Sequence, residues 1–594
     1  MHETILGHFF ETAARLGSRD ALRFKHDGTW HSISWGAYAE RVRRLARALI
    51  HFGLRPQEAV IIMASNRWEW LVSSLGIMAA GGVPAAIYPT STSEQAILVA
   101  KHCDARIAIV ENEAVAAKLA PAQVPGLEQR IFIDAPNGNA SARTFASLLE
   151  LPDAAGFAVS EAELEARIAA RGPEALATLI YTSGTTGDSK GAMLSDANLV
   201  FAAKAAIAAF GAVSEEEIIS YLPLSHIAEQ LMSIHIPAVL GVTISIAESL
   251  EQLGENLREV RPTIFFAVPR VWEKLEARIR TASAKAPAWR RWVAAAAGRV
   301  GMRASDPNER RVVRPLGHGL AHALVFRKVR EKLGLDRCHI AVSGAAPLGL
   351  ATQHFFLALG IPLLETYGLT ESTGPVVLST TDAWRAGTTG IAIPGTEVRI
   401  APADGEILVR GGHVFMGYLK DEQASREALD DDGWLHTGDI GELDRDGFLT
   451  ITDRKKDIIV TAGAKNVAPQ RIEARLKAID GVLQAAVIGD RRKYLTALLT
   501  LDPEAAPRIA RERGLPGDSL EALAAHPGFD AYVQEAIDEV NRNLARYETI
   551  KRFSLLPREL SVEAGELTPT LKIKRKVVAA RYQAQIEAMY AAGD

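Results

Sequence analysis

Short, largely apolar runs recur along the first part of the chain: AVIIM at 59–63, RIAIV at 106–110, TLIY at 178–181, TIFFA at 263–267 and IAV at 340–342. Runs this short, rich in β-branched residues and separated by helical periodicity such as that of 35–52, read as strands buried on both faces. They predict an α/β fold in which helices cover parallel sheets. After Glu397 the texture changes. EILVR at 406–410 and GFLTI at 447–451, joined by Gly/Asp turns, predict a small β-rich subdomain over about 397–453. The charge-dense DRKKD at 453–457 precedes a new α+β pattern, so the expected division is a large N-terminal domain, 1–453, and a small C-terminal domain, 454–594.

A chain of 594 residues exceeds what one core serves, which agrees with at least two domains. A net charge of −4 gives no reason to expect nucleic acid as a partner. Two distant cysteines, Cys103 and Cys338, speak against a disulfide framework or a cysteine metal site and fit a reducing cytoplasm. The first twenty residues lack the pattern of a cleaved signal peptide, so a cytoplasmic setting is expected. The uncharged stretch 70–89 is interrupted by Gly81-Gly82 and Pro84 and reads as a buried helix, a turn and a strand, not a membrane span. Residues 285–331 carry eleven Lys/Arg against three Asp/Glu. A solvated face is one reading and peripheral contact with an anionic membrane the other.

The chemistry concentrates first in YTSGTTGDSKG at 181–191. It is not a P-loop, because Lys190 stands three residues after Gly187 and is followed by Gly191. Gly184, Gly187 and Gly191 nevertheless let backbone N–H groups approach a ligand, Thr182, Ser183, Thr185 and Thr186 add hydroxyls, and Lys190 adds charge. Following a buried strand and preceding a helix capped by Ser195, this loop reads as a phosphate cradle.

The loop resembles the signature of the adenylate-forming, or acyl-activating, superfamily, and further segments follow in that family's order. LPLSH at 222–226 resembles its acid pocket, SGAAP at 343–347 its adenine turn, ETYGLTE at 365–371 its nucleotide and magnesium segment, GWLHTGD at 433–439 its ribose motif, DRKKD its hinge and LTPTLK at 567–572 its catalytic-lysine segment. The resemblance implies ATP or AMP contacts from Thr182 to Gly187, Lys190, Gly344, Ala345, Ala346, Glu365, Thr366, Tyr367, Gly368, Thr370, Asp439, Arg454 and Lys572. It implies Mg²⁺ on Glu371 with help from Thr185, and catalysis by Lys572, Glu371 and Thr185. His226, with Gly344 and Gly368, is expected near the carboxylate or the CoA thiol. Arg270 is a weaker candidate. Lys456 matches the hinge about which the family's mobile C-terminal domain turns after adenylation, bringing up the loop of Gly463, Lys465 and Asn466 for CoA.

Taken singly, Glu371 reads as surface charge, Asp439 as a turn residue and His226 as structural, and their roles rest on the motifs. The helical extension at 501–552 and the LTPTLKIKR ending resemble long-chain and bubblegum-type fatty acyl-CoA synthetases, which implies ATP, a fatty acid and CoA as substrates. Leu571 stands where many relatives have glycine, and Ala228-Glu229-Gln230 where some have a tryptophan gate. A fatty acyl-AMP ligase serving a carrier protein, and a non-catalytic acyl or nucleotide sensor, are the alternatives.

Overall fold

The structure is a computed structural model that describes residues 3–137, 142–182, 189–213, 215–304, 311–463, 465–517, 519–562, 564–568 and 573–591. The largest sheet has seven strands in the order Gly417–Tyr418, Lys190–Ser195, Leu176–Thr182, Val83–Ala86, Ala59–Met63, Ile107–Val110 and Gln129–Phe132. Its last five strands are parallel and its first two antiparallel to their neighbours. Every residue of Ala59–Met63, Val83–Ala86 and Ile107–Val110 is buried.

The period of two divides these strands between two helix layers. Val60, Ile62, Ile107 and Ile109 enter one core with the helices Trp35–His51 and Trp68–Ala79, whereas Ile61, Met63, Ala108 and Val110 enter another with Ser93–His102. Stretch 70–89 is therefore a buried helix, a turn at Gly81 (φ 86°) and the strand Val83–Ala86.

A second sheet runs Ile264–Ala267, Ile340–Ser343, Leu363–Leu369, Gly374–Leu378 and Ile391–Ala392, parallel over its first three strands. A third contains Thr29–Ser34, Asp20–His26, Thr243–Ile246 and Glu217–Ser220. The β-rich region is an antiparallel sheet of Thr396–Ile400, Glu406–Gly411, Leu435–Leu443 and Leu449–Arg454. Beyond it, Val482–Ile488, Leu495–Leu501 and Ile550–Leu556 form a three-stranded sheet. This sheet has its own core, in which Ile472, Leu476, Leu499, Phe529 and Ile537 are buried. The fold is thus α/β helix-covered sheets with a small β-rich part, followed by a smaller α+β unit.

One local arrangement differs from the sequence reading. Between the glycine loop and the helix Asp196–Phe210 lies an additional strand, Lys190–Ser195, paired antiparallel with Leu176–Thr182. The loop therefore joins two strands of a hairpin, and the helix N-terminus at Ser195 lies at the far end of that hairpin. KGAMLS escapes a strand reading because its glycine and lysine mask the apolar alternation.

The helix start is pinned by a buried ion pair. Arg171 donates through Nε to Asp196, with side-chain exposures of 2% and 0%, and Asp196 Oδ1 accepts from the backbone N–H of Ile5 at 3.1 Å. Ser195 and Asn198 form a reciprocal capping box, and Asn198 Nδ2 reaches the carbonyls of Gly412 and Val414 at 2.8 and 2.9 Å. Removing the cation leaves a carboxylate without its partner in the interior. Arg171→Met is expected to lower stability by about 3–5 kcal/mol in denaturant unfolding followed by tryptophan fluorescence. A loss below about 1 kcal/mol would show that the pair is dispensable.

Candidate functional site

A cavity of about 2250 Å³ lies where the second sheet, the hairpin and the β-rich sheet meet the C-terminal unit. It is built around a tight reversal. The strand Leu363–Leu369 enters a single 3₁₀ turn, Thr370–Ser372, and returns as Gly374–Leu378. Ser372 Oγ accepts from the N–H of Leu369 at 2.9 Å, and Thr373 and Gly374 take φ of 54° and 107°. A Cβ on Gly368 would fall 1.8 Å from the Gly374 carbonyl oxygen, so only glycine permits this closeness.

The turn directs Glu371 to Tyr418, whose hydroxyl donates to Glu371 Oε1 at 2.7 Å. Lys190 sits 5.0 Å from the Tyr418 ring centroid and 3.9 Å from Asp421 Oδ2. The hairpin lysine and the turn carboxylate, far apart in sequence, thus share one aromatic neighbour.

The same strand places Tyr367 against Asp439. The tyrosine hydroxyl donates to Asp439 Oδ2 at 2.8 Å, and Arg454 Nε donates to Oδ1 at 2.9 Å. Asp439 belongs to the strand Leu435–Leu443 opposite Arg454, so the turn reading of GWLHTGD is corrected. The residue is buried and each of its oxygens already has a partner inside the protein. A carboxylate has about four acceptor positions, which leaves capacity for a diol.

Other expected residues fall in distinct roles. Ala345 is left-handed (φ 67°), an uncommon conformation for a residue bearing a Cβ, and lines the cavity with Ala346. Gly344 lies behind them, and its Cβ would meet Thr366 Cγ2 at 2.6 Å. Thr366, Thr370 and Thr182 line the cavity, but the Thr366 hydroxyl donates to the Val377 carbonyl at 2.9 Å and is engaged within the sheet. Glu365 is buried beside Gln353, whose Nε2 donates to it at 3.1 Å, and burial pushes its carboxyl up to about 8. At neutral pH it acts as an uncharged hydrogen-bonding group. His226 lines the cavity and caps the helix Ile227–Gln230, accepting from the N–H of Ala228 at 3.1 Å.

Lys456 and the C-terminal residues Gln470, Glu473, Leu567, Thr568, Ile573 and Arg575 also face the cavity. Gly463, Lys465 and Asn466, beside the hairpin of Ile459–Val460 and Asn466–Val467, are not among its lining residues. Ser183, Gly184, Thr185, Thr186, Gly187 and Lys572 lie outside the described residues.

The apolar part of the cavity lining, its apolar arm, comprises Ile207, Phe210, Leu231, Met232, Val271 and Leu275. Arg270, also on its wall, stands 3.6 Å from Glu273.

Glu229 is the residue that sequence reasoning passed over. It is buried, accepts from Ser233 Oγ at 2.6 Å and from the N–H of Leu222 at 3.2 Å, and burial pushes its carboxyl up to about 7. Together with Gln230, whose Nε2 donates to the Leu224 carbonyl at 2.9 Å, it holds segment 222–226 against its helix. The signal was a charged residue in the otherwise apolar stretch IAEQLMSI, noticed only for the tryptophan it lacks.

The AMP-binding enzyme pattern matches residues 9–419, and the AMP-binding enzyme C-terminal domain pattern matches residues 456–594. The chain belongs to the AMP-binding enzyme family. It is 37% identical to a long-chain-fatty-acid–CoA ligase (ACSBG2) of Xenopus laevis, over 99% of this chain and 84% of that protein. It is 38% identical to a long-chain-fatty-acid–CoA ligase (FadD15) of Mycobacterium tuberculosis, over 95% of this chain and 93% of that one. Its fold is similar to anthranilate CoA ligase AuaEII in complex with anthranoyl-AMP (TM-score 0.74, 18% identity, 98% of both chains). It also matches ATP-bound MatB from Rhodopseudomonas palustris (TM-score 0.73, 22% identity, 98% and 99% of the two chains).

Two outcomes follow from the geometry. Gly368→Ala cannot relieve a backbone overlap by rotating a side chain, so the turn must open and displace Glu371. Nucleotide affinity measured by calorimetry is expected to fall by about tenfold or more, a cost of roughly 1–3 kcal/mol for the strained turn. Unchanged affinity would show that the reversal adapts. The second concerns Glu229, whose folded-state value of about 7 lies above the ordinary 4.5. The unfolded chain ionises first, so this group's contribution to stability falls as pH rises from the lower value through the higher one. Relative to Glu229→Gln, the protein should lose up to about 3 kcal/mol across that window. Parallel pH–stability curves would contradict the assignment.

Proposed function

We propose that this chain joins a long-chain fatty acid to CoA at the expense of ATP, releasing AMP and pyrophosphate through an acyl-adenylate. The observation that carries the reading is the continuity of one cavity. Its polar end holds Lys190, Glu371, Tyr367, Asp439 and Arg454, and its other arm is apolar. The names of the relatives agree with it.

In the first half-reaction a carboxylate oxygen attacks the α-phosphorus of ATP, and the bond to the β-phosphate breaks with its electrons leaving on pyrophosphate. In the second, the CoA sulfur attacks the acyl carbon and AMP departs with the carboxylate oxygen. The first step brings two anions together, so fixed cations and donors stabilise it most. Lys190 supplies charge at the hairpin. Asp439, held by Tyr367 and Arg454, accepts the ribose diol. Lys572 supplies the cation that the first half-reaction requires, and its flanking residues Thr568 and Ile573 line the cavity in this arrangement.

Glu371 offers hard oxygen to Mg²⁺, with Thr185 as its proposed companion. Among the described residues no group of three acidic, His or Cys side chains is arranged for a metal. Mg²⁺ takes one or two protein oxygens and completes its shell with phosphate and water. When bound it neutralises phosphate charge. Lys456 is the proposed pivot about which domain 454–594 turns, bringing Gly463, Lys465 and Asn466 to the cavity for CoA.

Incubation with ATP, Mg²⁺ and oleate should yield acyl-AMP, and added CoA should convert it to thioester. ADP as product, or transfer to holo-carrier protein alone, would overturn the reading. Efficiency should rise with chain length by at most ~0.8 kcal/mol per methylene until the arm is full. A preference for acetate or aromatic acids would contradict it.

The half-reactions should separate by mutation. Lys572→Ala is expected to slow adenylation ~10²–10³-fold while sparing thioester formation from supplied acyl-AMP. Lys456→Pro, which fixes φ at the pivot, is expected to do the reverse. Equal loss of both steps in both folded variants would remove domain rotation from the mechanism.

A further inference from the structure

Of the twelve large apolar residues exposed among those described, five fall between 289 and 324: Trp289 (63% exposed), Trp292 (69%), Leu316 (97%), Leu320 (67%) and Leu324 (52%). By contrast Trp35, Trp70, Trp272 and Trp384 are almost wholly buried. This outward display has a structural cause. The helix Ala288–Met302 docks by its small residues: Ala297 and Gly301 are buried, and a Cβ on Gly301 would lie 2.7 Å from the carbonyls of Leu357 and Ala358. Helical periodicity then turns Trp289, Trp292 and the exposed Arg299 and Arg303 to the opposite side. Leu316 in the turn before the helix His318–Ala321, Leu320 within it and Leu324 in the π-helical turn after it add three more exposed apolar side chains. The helix His318–Ala321 that carries Leu320 neighbours Ala288–Met302.

We propose that this face binds the surface of an anionic phospholipid bilayer. Residues 285–331 carry eleven Lys/Arg against three Asp/Glu in a chain of net charge −4, and Arg290, Arg291, Arg299 and Arg303 are exposed on or beside the tryptophan helix, so the charge there complements anionic headgroups. Tryptophan with arginine on one helix face suits the interfacial layer, where an apolar ring and a charged group are both satisfied. Among the described residues no helix is long and apolar enough to cross a membrane, so the mode is surface binding.

The bilayer also has a reason to be there, and this part rests on the proposed ligase function. The helix Pro269–Ala284, whose Val271, Leu275 and Arg278 line the apolar arm, runs through three residues into Ala288–Met302. Seating the second helix on a bilayer brings the arm's wall to the phase where long-chain fatty acids reside.

Co-sedimentation of the full chain with phosphatidylcholine vesicles, with and without about 30% phosphatidylglycerol, tests the binding. The protein should partition to the anionic vesicles, less to neutral ones and less at high salt. Three double variants probe the face: Trp289→Ser with Trp292→Ser, Leu316→Ser with Leu320→Ser, and Arg299→Glu with Arg303→Glu. Each should weaken partition by about tenfold or more. All of these side chains are exposed, so thermal unfolding and activity on a detergent-free medium-chain acid should stay unchanged. Equal sedimentation of wild type and variants would overturn the proposal. So would a dimer in sedimentation velocity that the tryptophan variant dissociates without any vesicle binding, since the face would then belong to a second copy. Vesicle binding by a chain that makes no acyl-CoA would remove the ligase reading and leave this surface standing.

Discussion

The site depends on one buried carboxylate. Asp439 joins three pieces of chain: the second sheet through Tyr367, the β-rich sheet in which it lies, and the strand leading to the C-terminal unit through Arg454. A carboxylate out of water is costly unless its lone pairs are matched, and here a hydroxyl and a guanidinium match both oxygens. The same contacts raise the tyrosine's resistance to ionisation, since burial and the adjacent anion both disfavour phenolate. Tyr367 is therefore held as a donor. One acceptor thus fixes the relative position of the turn bearing Glu371 and the strand bearing Arg454.

The strand Leu449–Arg454 extends this arrangement in the other direction. Adjacent residues of a strand point to opposite faces, so while Arg454 turns to Asp439, Asp453 turns to the C-terminal unit. Asp453 Oδ2 accepts from the N–H of Gln470 at 3.1 Å, at the start of the helix Pro469–Lys477, whose own N-cap position is Ala468 and has no side-chain acceptor. Burial pushes the Asp453 carboxyl up to about 6. Next to it, Glu473 of the same helix pairs with Arg575 and accepts from the Val487 N–H at 2.7 Å. Asp453 thus holds the C-terminal unit and Arg454, next in the strand, holds the site, both ahead of the proposed pivot at Lys456. Rotation about 455–457 would exchange the first contact while leaving the second in place.

Much of this was legible in the sequence where a residue type admits few environments. AVIIM and IAIV could only be strands buried on both faces, and they are. Ser195 announced a helix start, and the helix begins at Asp196 with Ser195 as its N-cap. The order of ETYGLTE, GWLHTGD and DRKKD carried the family resemblance that the matches bear out. What was not legible were contacts between distant segments. Nothing local to KGAMLS marks it as a strand, because its pairing with Leu176–Thr182 supplies the hydrogen bonds that its composition does not predict. Tyr418 carries no motif, yet it joins Lys190 to Glu371. Glu229 reads as a surface charge until the fold surrounds it.

Four carboxylates, three lining the cavity and Glu229 buried in the helix beside it, differ by their partners. Glu229 and Glu365 are buried among hydroxyl, amide and backbone donors without a cation, so desolvation dominates and both retain protons to near neutrality or beyond. Asp439 is equally buried, yet it has the Arg454 guanidinium against it. Glu371 stands at a tight turn with the Tyr418 phenol on one oxygen. Glu229 and Glu365 brace segment 222–226 and the strand Leu363–Leu369 through hydrogen bonds to hydroxyl, amide and backbone donors. Asp439 and Glu371 are the two placed where a diol and a cation would need them.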